Sequence, residues 1–143
     1  MGKTDTGQKC RVDIFLKAEA RFYLAKMVFV DQKGKTHERQ LHGKQDATAE
    51  SNLLTALQAG LEILNRPCLL EIHTGSDYLT GPLKMGWLWN WKNNDWKNRK
   101  GKQIRNMEQW RQIDRLLASH AVRIVKEEYG NEKPYDAKTG TGE

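Results

Sequence analysis

The chain of 143 residues predicts a mixed α/β domain: a five-stranded mixed β-sheet flanked by helices and carrying a basic, tryptophan-rich protrusion. Three features predict it. Apolar residues alternate with period two in the first third, the pattern of half-buried strands. Later segments switch to helical spacing, with apolar stripes. Turn residues separate the segments and give the order β-β-β-α-β-α-(basic Trp segment)-α-β. A strand meander followed by helices alternating with single strands builds a sheet with helices packed against it.

Each element has its own reason. In "RVDIFLKAEA", Val12, Ile14 and Leu16 alternate with Asp13, Phe15 and Lys17, and both faces are apolar enough for a central strand. "RFYLAKMVFVDQKGKTHERQLHG" reads as a hairpin: Phe22, Leu24 and Val28 to Val30 supply one arm, "DQKGK" turns, and a polar edge strand returns. The charge on that edge argues against strand-to-strand dimerisation. "DATAESNLLTALQAGLEILNRP" is a helix with Leu53, Leu54, Leu57, Leu61 and Leu64 on one stripe. Thr48 or Asp46 can cap its start, and Pro67 ends it. "CLLEIHT" is a short buried strand. "GSDYLTGPLKM" starts a helix capped by Ser76 and is expected to break or kink at Gly81-Pro82. Asn106 is expected to cap an amphipathic helix with Met107, Trp110, Ile113, Leu116 and Leu117 on its stripe; "AVRIVKEEY" is the last strand. The boundaries that follow are a flexible tail at 1–10, a domain at 11–129 with the protrusion at 84–106, and a flexible tail at 130–143.

Composition narrows the chemistry. The two cysteines, Cys10 and Cys68, form no C-x-x-C pair, and His37, His42, His73 and His120 are scattered, so no zinc site is expected and both thiols are read as reduced. No segment has the roughly 18 consecutive apolar residues of a membrane helix. A cytoplasmic protein with no membrane partner is expected.

The formal charge is +6. From Lys84 to Arg105 seven cations (Lys84, Lys92, Lys97, Arg99, Lys100, Lys102, Arg105) face one anion, Asp95, so this segment alone accounts for the whole net charge. Four of the five tryptophans lie between Trp87 and Trp96. Two readings fit together. Trp87 and Trp91, four apart on one helix face, form with Trp96 the core of a small helical subdomain. The cations outside form a docking surface for a polyanion. The proposed contacts are Lys92, Lys97, Arg99, Lys100, Lys102 and Arg105, with Trp89, off the Trp87–Trp91 face, as an exposed stacking surface. Asn90, Asn93, Asn94 and Asn98 suit backbone or phosphate hydrogen bonds, or caps.

From about Val12 to Val125 the chain resembles the type 1 ribonuclease H family. "VDIFLK" is similar to the family's first strand, which normally ends in Thr-Asp-Gly-Ser. "ATAESNLLTAL" is similar to its first helix, and "LEIHTGSDYL" to its fourth strand and the turn after it. "WLWNWKNNDWKNRKGKQIRNMEQW" resembles the basic handle of some bacterial members, in the W-x-x-N-W spacing, Trp96-Lys97, the Lys/Arg cluster, Asn106 and Trp110. The resemblance implies the ribonuclease H fold and a handle that grips a duplex through phosphates, without sequence reading.

It also implies a site of about four carboxylates around two Mg²⁺ ions, which activate water and stabilise the leaving oxygen. Position by position, the carboxylates fall on Lys17, Leu53 and Gly75, with Asp136 corresponding to the last. No cofactor is therefore expected. Mg²⁺ or Mn²⁺ enters only in an alternative where Glu19, Glu50 and Asp77, with or without Asp136, rebuild a displaced site. The leading expectation is a catalytically degenerate ribonuclease H-like domain binding an RNA–DNA hybrid or other duplex. The remaining alternatives are an active metal-dependent ribonuclease H and a pseudoenzyme whose partner is a protein.

Overall fold

A computed structural model of the chain describes residues 10–127. The expected C-terminal tail, Asp136 and nearly all of the expected N-terminal tail lie outside the described residues. Five strands, β1 (Cys10–Glu19), β2 (Phe22–Val30), β3 (Thr36–Lys44), β4 (Cys68–Thr74) and β5 (Ala121–Lys126), form one sheet in the order β3-β2-β1-β4-β5. The meander β1-β2-β3 is antiparallel, whereas β4 and β5 run parallel to β1. The helices are α1 (Ala49–Glu62), α2 (Asp77–Lys84), α3 (Trp87–Lys92) and α4 (Met107–Leu117).

Alternation in β1 does what the sequence demands. Val12, Ile14 and Leu16 are buried, and β1 lies at the sheet centre between β2 and β4. Strand β1 begins one residue earlier than expected, because Cys10 is already in register with Cys68 on β4. Burial and the neighbouring Cys10 thiol push the Cys68 thiol up to about 12, far from a reactive thiolate.

Helix α1 lies across the sheet and against α4, burying Leu53, Leu54, Leu57 and Leu61. Each such leucine contributes roughly 1.5–3 kcal/mol when fully buried. Thr48 caps the helix: its Oγ1 accepts from Ser51 N–H at 3.0 Å. Asn52, fully buried beside the leucines, spends its amide on order. Its Nδ2 donates to the carbonyls of Glu19 (2.7 Å) and Gln45 (3.0 Å), and its Oδ1 accepts from Gln45 Nε2 (3.0 Å). The end of β1 is thereby tied to the start of α1.

Two expectations about helices are corrected. The break at Gly81-Pro82 does not occur, because α2 runs through Pro82 to Lys84. Proline there forfeits only the bond to the Tyr78 carbonyl, and Met85 N–H still closes on the Gly81 carbonyl at 3.1 Å. Ser76 caps α2 as expected. Asn106 does hold the N-cap position of α4, but with φ of +60° and no capping hydrogen bond. Its Nδ2 donates instead to Tyr78 Oη at 2.9 Å, beside Trp110 Nε1, which donates to the same oxygen at 3.2 Å. Trp110 and Ile113 are fully buried, and Trp91 meets Trp110 edge-on at 5.9 Å. This joint seats the α3 region on the core. Among the described residues no helix is long and apolar enough to cross a membrane.

Candidate nucleic-acid interface

The parallel neighbours β1 and β4 end side by side, facing the first turn of α1. Between them lies a cleft of about 310 Å³ whose lining includes Lys17, Glu19, Glu50, Leu53, Thr74 and Gly75. The three positions matched to the first-strand, first-helix and fourth-strand carboxylates do come together, as the fold requires. The groups they present there are an ammonium, an alkyl chain and no side chain. Magnesium needs hard oxygen ligands, and Lys17 brings a positive charge to the cleft. The donor set does not fit a divalent ion.

The displaced acids do not repair this. Strand β1 persists far enough to bring Glu19 to the cleft, and Glu50 joins it from α1. Asp77 does not line the cleft. It is bound to Lys126 of β5, which holds its carboxyl below the usual range. Of the three displaced acids, Glu19 and Glu50 share the cleft and Asp77 does not. Asp136 lies outside the described residues.

Another acidic group, invisible to sequence spacing, gathers on the sheet face opposite α1. Asp13, Glu71 and His73 place ligand-type atoms within 4.8 Å of one another, the one such group of three or more among the described residues. The group is compensated from within. His73 Nε2 meets Asp13 at 3.1 Å, His73 Nδ1 meets Glu127 at 3.2 Å, and Arg11 and Arg123 reach Glu71 at 3.4 and 3.3 Å. The His73 ring stacks on Phe15 at 4.2 Å. Guanidiniums already supply the positive charge that a metal would bring. Residues 13, 71 and 73 meet only because β1 and β4 are paired in register.

The basic segment forms a handle built from α3 and a closed loop. Its inner face is Leu88, Trp91, Trp96 and Ile104, packed on the core. Trp91 and Trp96 thus sit as expected. Trp87 does not: it is 49% exposed, because Leu88 takes the inward position beside Trp91. One side of the Trp87 ring rests on α2, where a Cβ at Gly81 would come closer than 3.0 Å to three ring atoms. Trp89 is 66% exposed.

The cations sit on a pinned loop. Lys97 bridges to Gln103, Asn98 N–H donates to the Lys102 carbonyl at 2.8 Å, and Gly101 turns with φ of +81°. Asn98 Oδ1 accepts from the N–H groups of Lys100 (2.9 Å) and Lys102 (3.0 Å). Arg99, Lys100, Lys102 and Arg105 are exposed and, among the described residues, have no acidic partner within 4.0 Å. Lys92 differs, since it pairs with Asp114 of α4 at 3.2 Å and staples the handle to the core. Asn93 and Asn94 donate to the carbonyls of Trp89 and Lys97, so with Asn98 three of the four asparagines are spent inside the handle. Beneath the loop runs a groove of about 710 Å³, lined among others by Trp87, Asn90, Asn94, Lys97, Arg99 and Lys100. Trp89, Lys102 and Arg105 lie outside it.

Comparison with known proteins gives the lineage. The family model for RNase H matches residues 20–128, beginning just after β1. A Ribonuclease H of Chlorobium limicola is 32% identical over 102 residues, 71% of this chain and 70% of that protein; one of Clostridium botulinum is 32% identical over 92 residues, 64% and 62%. Among solved structures, LC9-RNase H1, described as a type 1 RNase H with the type 2 active-site motif, superposes with a TM-score of 0.69 at 17% identity over 85% of this chain and 65% of that one. A foamy viral protease-reverse transcriptase in complex with RNA/DNA hybrid superposes with a TM-score of 0.56 at 14% identity over 87% of this chain and 18% of that one. The two structural likenesses are of fold. With the family model covering more than half of the chain, the protein belongs to the RNase H family.

Proposed function

We propose that this RNase H-family domain binds nucleic acid, an RNA–DNA hybrid or other duplex, and has lost two-metal catalysis. One contrast carries the reading: Lys17, Leu53 and Gly75, where the resemblance places carboxylates, carry none, while the handle keeps four exposed cations without acidic partners among the described residues. Phosphates are the polyanion such a loop suits, since sequence-independent affinity needs cations at backbone spacing. The hybrid complex of a structurally similar protein favours the same partner class.

The test is binding and cleavage of a labelled RNA–DNA hybrid in one experiment, with Mg²⁺ or Mn²⁺ and across a salt series. Binding that weakens with salt, without metal-dependent cleavage, is the expected result. Metal-dependent cleavage that survives purification from contaminating nuclease would sink the degenerate site. Absence of binding at low salt would hand the handle to a protein partner instead.

A further inference from the structure

We infer that Cys10 and Cys68 form a two-thiolate site for a soft monovalent metal ion, Cu(I). The inference goes beyond the nucleic-acid reading and stands apart from it in space. Strands β1 and β4 run parallel, so their starts meet at one end of the sheet and the cleft lies at the other.

Strand pairing builds the site. Cys10 and Cys68 are register partners. Each shares the inward direction of a buried residue two positions on, Val12 and Leu70. Both thiols therefore leave the sheet on the α1 side, from backbones one strand spacing (about 4.8 Å) apart. The Cys68 thiol interacts directly with the Cys10 thiol. The two share a cavity of about 440 Å³, lined also by Phe29, Ile63 and Arg66. The Cys68 S–H donates to the Arg66 carbonyl at 3.3 Å, a weak bond that a metal would replace.

Three observations select the ion. First, thiolate is a soft ligand, and two side by side suit Cu(I), which two sulfurs satisfy. Second, the site lacks what zinc requires. Zinc takes four ligands. The described residues that line the cavity include no carboxylate or imidazole, and Nδ1 of the neighbouring His120 is occupied by the Cys68 N–H at 3.0 Å. Third, the charge balances. Two thiolates around one Cu(I) carry a net negative charge, and the exposed Arg66 guanidinium favours the charged form of Cys68. Burial and mutual repulsion keep such a pair of thiols protonated on its own. A bound cation lets both ionise. Each proton leaves to solvent as its Cu–S bond forms, and the metal keeps its oxidation state.

The experiment titrates the reduced protein anaerobically with Cu(I) against a chromophoric Cu(I) chelator. It is repeated with Ag(I), a redox-silent ion of the same charge and softness. The expected result is one ion per chain, with near-ultraviolet thiolate-to-copper absorption. Cys10→Ser and Cys68→Ser should each abolish it. Cys10 is only partly buried, at the start of its strand, so its variant stays informative if Cys68→Ser fails to fold. Arg66→Gln, on the surface, should weaken binding roughly tenfold at unchanged stoichiometry. A protein that takes no Cu(I) from the chelator overturns the inference, and so does a folded Cys10→Ser variant that binds as the wild type does. Displacement of Cu(I) by equimolar Zn(II) overturns the choice of ion.

Discussion

The cleft at the ends of β1 and β4 and the handle beyond α2 are two charged surfaces of one ancestry with different tolerances. In the cleft, Lys17 stands among Glu19 and Glu50, and Leu53 and Gly75 offer no oxygen. In the handle, Arg99, Lys100, Lys102 and Arg105 are exposed and have no acidic partner among the described residues. Two-metal chemistry needs several hard donors at once in fixed geometry. A phosphate-binding surface is a sum of loosely placed charges, each replaceable. One substitution can end the first, whereas several only weaken the second. On the function proposed above, binding outlasts catalysis because only a sum of separate charges tolerates piecemeal change.

The largest effect is expected at the footing common to both regions: Trp110→Ala should cost about 3–5 kcal/mol in urea denaturation, because the ring is fully buried under Trp91 and Tyr78. A loss below about 1 kcal/mol would mean that the handle is not seated there. Next comes the charge test. Changing Lys97, Arg99, Lys100 and Lys102 together to Ala should weaken hybrid binding about 100-fold at low salt, roughly 2.7 kcal/mol, and flatten the salt slope by about 0.9 for each phosphate no longer neutralised. Lys17→Ala should change affinity less than about threefold; an equal loss from that single change would erase the distinction between cleft and handle.

Asn52→Ala should cost about 1–3 kcal/mol, since it removes the buried donor that the Glu19 and Gln45 carbonyls share. A neutral result would show that the cleft's frame does not depend on this tie. The smallest effect concerns His120, whose Nδ1 accepts from Cys68 N–H at 3.0 Å and whose pKa burial lowers. The neutral ring is the native form. Its stabilisation is present above the ordinary imidazole value of about 6.5 and is lost as pH falls through the lower folded value. Melting temperature should therefore decline on acidification across that window, and His120→Gln should flatten the decline.

The residues divide clearly between what could be read in one dimension and what could not. The strands, the leucine stripe of α1, the caps Thr48 and Ser76 and the inward Trp91 and Trp96 were legible, because each follows from a local period or a neighbouring residue type. The expectation that the family's carboxylates fall on Lys17, Leu53 and Gly75 came from the resemblance to a family, not from any local period. Gly81-Pro82 does not interrupt α2, and Asn106 takes the expected N-cap position but turns its amide to Tyr78 Oη instead of capping with it. Trp87 was misassigned to the core because helical spacing cannot tell which of two adjacent apolar residues, Trp87 or Leu88, turns inward. The capture of Asp77 by Lys126 and the meeting of Asp13, Glu71 and His73 depended on which strands pair and in what register. The elements, their order and the placement of charge follow from short-range periodicity and composition. Which charges are already spent, which ring stays open and which acids converge are distances between segments far apart in the chain, fixed only when the chain folds.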